Sequence, residues 1–166
     1  MRAAAARSET VVVGVDGSPG ARAALEFAVD EAGRRGAQVL VVTAVQRPEY
    51  WAALGGVGPI VSSDDITAGV RSAAQHLIEE ALADREPVPV TLQVAGGYPA
   101  EVLIEAAQDA ALLVLGHRGR GAIGSAVLGS VGLQCILHAA CPVTVVRPEP
   151  SPTEPVPDAA AAATSS

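Results

Sequence analysis

The sequence contains no lysine; all eleven of its basic residues are arginine. That absence excludes a Walker P-loop, whose lysine reaches the phosphates, and it excludes Schiff-base chemistry on a lysine amine. Aromatic residues are nearly absent as well: one Phe, one Trp and two Tyr. A core must therefore be built from Val, Leu, Ile and Ala. Two cysteines, Cys135 and Cys141, are too few for a disulfide framework and lack paired metal-ligand spacing. No Gly-x-Ser-x-Gly occurs, so there is no nucleophile elbow. No apolar run approaches the length of a membrane span, and the alanines after Arg2 are too few for a secretory core. The expected compartment is the cytoplasm. The net charge of -7 argues against a general binder of nucleic acid or membrane surfaces.

What is present is a chain of 166 residues, nearly half of them apolar, enough for one domain with tails. Residues 1–8 are rich in Ala, Arg and Ser. Residues 148–166 carry Pro148, Pro150, Pro152, Pro155 and Pro157 before an alanine run. Proline at that density blocks helix and sheet ladders alike, so both ends are expected to be disordered and the folded domain to cover 9–147.

Inside those limits strand patterns alternate with helix patterns. Thr10 to Val15 is a continuous apolar run, as in a strand buried on both faces. Asp16-Gly-Ser-Pro19 then supplies a turn, an N-cap in Ser18 and a proline at the first helical position. Ala21, Ala24, Leu25, Ala28, Val29 and Ala32 recur at helical spacing, and Gly36 suits the C-terminal cap. Further strands are expected at 39–45, at 88–95 with Pro89 marking an edge, at 111–115 and at 143–146. Helices are expected around Ile66 to Ala81, from Pro99 to Ala107 and from Ser130 to His138, with a loop at 47–63. The alternation predicts a parallel α/β sheet with helices on both faces.

Chemistry concentrates after the fourth strand. Gly116-His-Arg-Gly119 leaves an apolar run, and Gly129-Ser130 opens the next helix. Backbone N–H groups approach an anion closely where no Cβ intervenes, and a helix N-terminus adds partial positive charge. Arg118 and Arg120 suit phosphate oxygens, or are solvated loop charges; His117 is a weaker pointer to the same contact. Asp16 is either a turn former or a carboxylate facing a ligand beyond the strand ends. The literal Gly119-x-Gly121-x-x-Gly124 is not a dinucleotide fingerprint. It follows the fourth strand, and the position twenty residues on is Thr144, not an acid. A phosphorelay receiver is excluded by the single acid at Asp16 and by the missing lysine. His76 reads as a surface residue and His138 as a helix-end cap. Cys135 and Cys141 read as structural.

The spacing Gly116-x2-Gly119-x9-Gly129-Ser130 resembles the signature of the universal stress proteins. The resemblance extends through Val11 to Pro19, Gly97-Tyr-Pro-Ala-Glu101 and Cys141 to Arg147, over about 9–147. It implies a single-domain, open, five-stranded parallel sheet in the order 3-2-1-4-5, Rossmann-like and similar to the adenine nucleotide α-hydrolases. It also implies ATP, with Mg2+ where the phosphates carry it, at the switch between strands 1 and 4. By position, Val15, Asp16 and the backbone around Ala44 would meet adenine or ribose. Gly116, His117, Arg118 and Gly119 would line the ribose and first phosphates. Gly129, Ser130 and Val131 would hold the phosphate tail. The resemblance further implies a homodimer through 143–146. His117 and Gly132 depart from the pattern, where Ser and a hydroxyl residue are common; the second change removes a hydrogen bond worth about 0.5–1.5 kcal/mol.

The functional expectation is a nucleotide-dependent regulatory module in a stress response, with no catalytic residues, no resident metal ligands and protein partners that the sequence does not name. The alternatives are a nucleotide-free dimeric interaction module and a slow ATPase with Mg2+ held by ATP and Asp16.

Overall fold

The computed structural model describes residues 9–45, 63–117 and 128–148. The expected tails, apart from Pro148, and the 47–63 loop up to Ser63 lie outside the described residues. So do Arg118, Gly119, Arg120, Gly121 and Gly124.

Five strands, β1 (Thr10–Gly14), β2 (Gln38–Val45), β3 (Val90–Gly96), β4 (Leu112–Gly116) and β5 (Val143–Val146), form one sheet in the order β3-β2-β1-β4-β5. Every pairing is parallel. β1 lies at the centre, with Val13 beside Val41 on one flank and Val114 on the other. Its Val11, Val12 and Val13 are fully buried, which is why the run carries no polar alternation. The third strand begins at Val90 rather than Val88. Pro89 has no N–H to donate to a ladder, and it contributes only its carbonyl, which accepts from Val39 N at 2.8 Å.

Helices α1 (Pro19–Arg35) and α2 (Ser63–Leu82) cover one face of the sheet; α3 (Pro99–Ala106) and α4 (Ser130–His138) cover the other. α1 starts as its sequence dictates. Ser18 accepts a hydrogen bond from Ala21 N at 3.2 Å, and Pro19 occupies the first turn. It ends at Gly36, whose left-handed φ of 65° lets the cap N–H reach back to the last turn. Its buried stripe, Ala24, Leu25, Ala28 and Val29 among others, packs with Val11, Val13 and Val41 in the first core. The second core holds Val12, Val42, Leu103, Leu113 and Cys135. Small aliphatic residues let helices lie close to the sheet, and this compensates for the missing aromatics. Beyond α2, Arg85 ties that layer to α1 through Asp30 at 2.8 Å. Among the described residues no helix is long and apolar enough to cross a membrane.

Candidate nucleotide site at the β1–β4 switch

In an open α/β sheet the ligand crevice lies beyond the C-terminal strand ends, where the order of strands reverses. Here β1 runs on into β2 on one side and is joined to β4 on the other, so the switch is between β1 and β4. Val15 follows β1 and is buried; its N–H donates to Val42 O at 2.9 Å. Asp16 is exposed at the mouth. One carboxylate oxygen accepts from Ser18 N at 3.0 Å, which makes it a turn former, and Gly17 follows with a φ of 78° that favours glycine. The turn reading of Asp16 is therefore met. Ala44, near the end of β2, is half-buried and pairs with Ala95.

Gly116 ends β4 and has a role the motif alone did not show. A Cβ there would stand 2.5 Å from Gly20 C and 2.6 Å from Gly20 O, with Ala21 N at 2.9 Å. All three are backbone atoms of the first turn of α1. The residue is glycine because α1 enters against the end of β4. Its neighbour His117 is half-buried and donates its backbone N–H to Val146 O at 2.7 Å.

Gly129 caps α4, and its N–H donates to His117 O at 3.4 Å. The two ends of the Gly-rich connection are thereby brought together beside β4. Gly129 does not require left-handed backbone. Its φ is -63° and ψ 156°, ordinary extended backbone, and a Cβ added there would meet nothing within 4 Å. As a glycine, the N-cap residue itself offers no side-chain cap. Ser130 is exposed, Val131 half-buried and Gly132 buried, so the first turn opens with an accessible N-terminus. A Cβ on Gly132 would stand 2.9 Å from Leu128 Cδ1, a side-chain end that can move aside.

Val15, Asp16, Ala44, Gly116, His117, Gly129, Ser130 and Val131 thus all lie at the C-terminal end of the sheet, while Arg118 and Gly119 are not among the described residues. Among the described residues no group of three or more His, Cys, Asp or Glu side chains is placed to hold a metal. His76 is a surface residue 3.7 Å from Glu80, and His138 ends α4 exposed. Cys135 and Cys141 are both buried in the second core and neither is in a disulfide. Burial pushes the Cys135 thiol up to about 11, with Cys141 adding to the effect, so it is no nucleophile.

The family model described as the universal stress protein family matches residues 8–147. The chain belongs to the universal stress protein family. A universal stress protein of Mycobacterium tuberculosis is 33% identical over 158 residues, covering 87% of this chain and 50% of that relative. The chain spans about half the length of the curated relatives it matches. Among solved structures, the universal stress protein UspA from Lactobacillus plantarum superposes with a TM-score of 0.68 at 24% identity, covering 86% of this chain and 99% of that one. The universal stress protein from Archaeoglobus fulgidus, solved in complex with dAMP, gives 0.55 at 26% identity, covering 82% and 95%. These neighbours share the fold of this universal stress protein.

Proposed function

We propose that this universal stress protein binds ATP at the β1–β4 switch and acts in the cytoplasm as a nucleotide-dependent regulatory module, without turnover. The observation that carries the reading is the start of α4. An accessible helix N-terminus, whose glycine N-cap offers no side-chain cap, stands beside the end of β4, and Gly129 leaves open the space that a Cβ would fill. Such a terminus favours an anion through its free N–H groups and its dipole. In this reading Gly129, Ser130 and Val131 hold the phosphate tail, with Mg2+ riding on the phosphates. Arg118 and Gly119 contact the first phosphates beside His117. Val15, Asp16 and Ala44 frame ribose and adenine. An adenine nucleotide in the related Archaeoglobus fulgidus structure supports the ligand class. The lack of lysine supports binding over hydrolysis.

The test is acid extraction of nucleotide from freshly purified protein, followed by ATP titration of the wild type, Gly129→Val and Gly129→Asp. Since Gly129 has open space and extended backbone, both variants are expected to fold. Asp is a favoured N-cap and should hold or slightly raise stability while repelling phosphate. Loss of ATP affinity in both folded variants is the expected result. Unchanged affinity in either would sink the phosphate site, and phosphate release by wild type above Gly129→Val would favour the ATPase.

One further observation favours a homodimer through Val143–Val146. β5 is an edge strand, and α4 beside it exposes Leu133, Ile136 and Leu137 at 50%, 47% and 64%. Their spacing puts them on one side of the helix. Leu137→Glu should shift sedimentation towards monomer; a monomeric wild type would refute the dimer.

A further inference from the structure

The two cores tell on which face of the sheet each strand-end residue stands. In β4, Leu113 and Leu115 belong to the second core, Leu112 and Val114 to the first. Side chains alternate along a strand, so Gly116 stands on the first face, against Gly20 of α1, and His117 falls on the second. In β5, Val143 packs against the second core and Val146 against the first. The next residue, Arg147, precedes Pro148, and a residue before proline is held in extended backbone. The alternation therefore runs one step beyond the strand, and Arg147 falls on the second face with His117.

The two residues are also neighbours across the strands. Gly116 is in register with Val146, and His117 N donates to Val146 O at 2.7 Å. Adjacent strands lie about 4.8 Å apart, which sets the spacing between the backbones of His117 and Arg147. The second face is the one that α4 covers, and Val131 of its first turn packs against the same core as Val143. His117 O in turn accepts from Gly129 N at 3.4 Å. Arg147 thus stands one strand spacing from the residue to which the N-cap of α4 is bonded.

The other described arginines are committed elsewhere. Arg22, early in α1 on the opposite face, pairs with Glu26 at 3.3 Å and with Glu80 at 3.1 Å. Arg34, Arg35 and Arg85 also pair with carboxylates, and Arg71 sits midway along α2. Arg147 is exposed, and among the described residues it makes no ion pair. A cation beside a helix N-terminus opposes the partial positive charge there, unless an anion lies between the two.

We propose that Arg147 contacts the terminal phosphates of a nucleoside triphosphate and sets the preference of the site for a triphosphate over a monophosphate. The inference rests on the nucleotide reading given above. The first turn of α4 offers N–H groups to the phosphate tail from one side, and Arg147 closes on the tail from the end of β5. A guanidinium matches phosphate oxygens with paired donors and keeps its charge at any physiological pH. AMP has no phosphate beyond the first and gains nothing from it.

The experiment is calorimetric titration of the full chain with ATP and with AMP, for wild type, R147Q, R147K and Gly129→Val. R147Q should bind ATP about tenfold more weakly, the size of one charge-assisted hydrogen bond, with AMP affinity at its wild-type value. Its Tm should not move, because the side chain is exposed. R147K should recover most of the ATP affinity, since lysine also binds phosphate as a point charge. ATP binding by R147Q should depend less steeply on salt than that of wild type. An equal loss for ATP and AMP, or unchanged ATP affinity in R147Q, overturns the proposal. If Gly129→Val loses ATP while R147Q matches wild type, the assignment of Arg147 falls alone. A wild type that binds no ATP overturns the nucleotide reading and this inference together.

Discussion

Two glycines of one motif separate cleanly under substitution. In Gly116→Ala the new methyl carbon would lie 2.5 Å from one backbone atom of Gly20 and 2.6 Å from another. Ordinary carbon contacts begin near 3.4 Å, so α1 must retreat by about 0.9 Å from β4. The atoms in the way are backbone, so no rotamer change relieves the clash. α1 also carries Leu25, Val29 and three fully buried alanines into the first core, and a retreat loosens all of them. Overpacking costs about 1–3 kcal/mol, and this rigid case belongs at the upper end. Tm should fall by roughly 6–12 °C for a domain of this size. Thermal unfolding followed by far-UV circular dichroism measures the Tm, and urea unfolding the free energy. Gly129→Ser is the control, with open space, extended backbone and a better N-cap, and should match or slightly exceed the wild type. Equal stability of Gly116→Ala and wild type would refute the close approach of α1 to β4.

Ser18→Ala removes the hydroxyl that accepts from Ala21 N in a buried cap, and should cost about 1 kcal/mol in the same urea assay; an unchanged midpoint would remove the cap from the account. Alkaline pH should weaken the fold through Cys135. Its thiol titrates near 9 when ordinary and near 11 in the native core, so between those values the unfolded chain loses a proton that the folded one keeps. Stability is full below about pH 9 and declines towards pH 11, by roughly 2–3 kcal/mol in all. Cys135→Ala should flatten that slope, and an identical slope in the variant would contradict the assignment.

The alternation of elements was legible because parallel strands buried on both faces leave continuous apolar runs, as in Val11 to Val13 and Leu112 to Leu115. The turn after β1 was legible because Asp, Gly, Ser and Pro each act locally, through a side-chain acceptor, a positive φ, a cap and a fixed φ. The start of β3 was misplaced by two residues, since the valines around Pro89 read as strand while proline withholds the N–H. Gly116 was legible as a glycine that matters but not as the reason. The atoms that exclude its Cβ belong to Gly20 and Ala21, far away in sequence, and only packing brings them there. Gly129 went the other way: its backbone is ordinary, and the open space in front of it is a property of the crevice.

The central position of β1 also fixes the timing of assembly during synthesis. β1 leaves the ribosome before the other four strands of the sheet, yet one of its edges waits for β4. Val13 pairs with Val114, so about a hundred residues must be made before the centre of the sheet is complete. At roughly 5–20 residues per second that is an interval of about 5–20 s. During it a strand carrying Val11, Val12 and Val13, paired only towards β2, presents its other edge to the cell. This gives the nascent chain a window of vulnerability that the finished protein does not have.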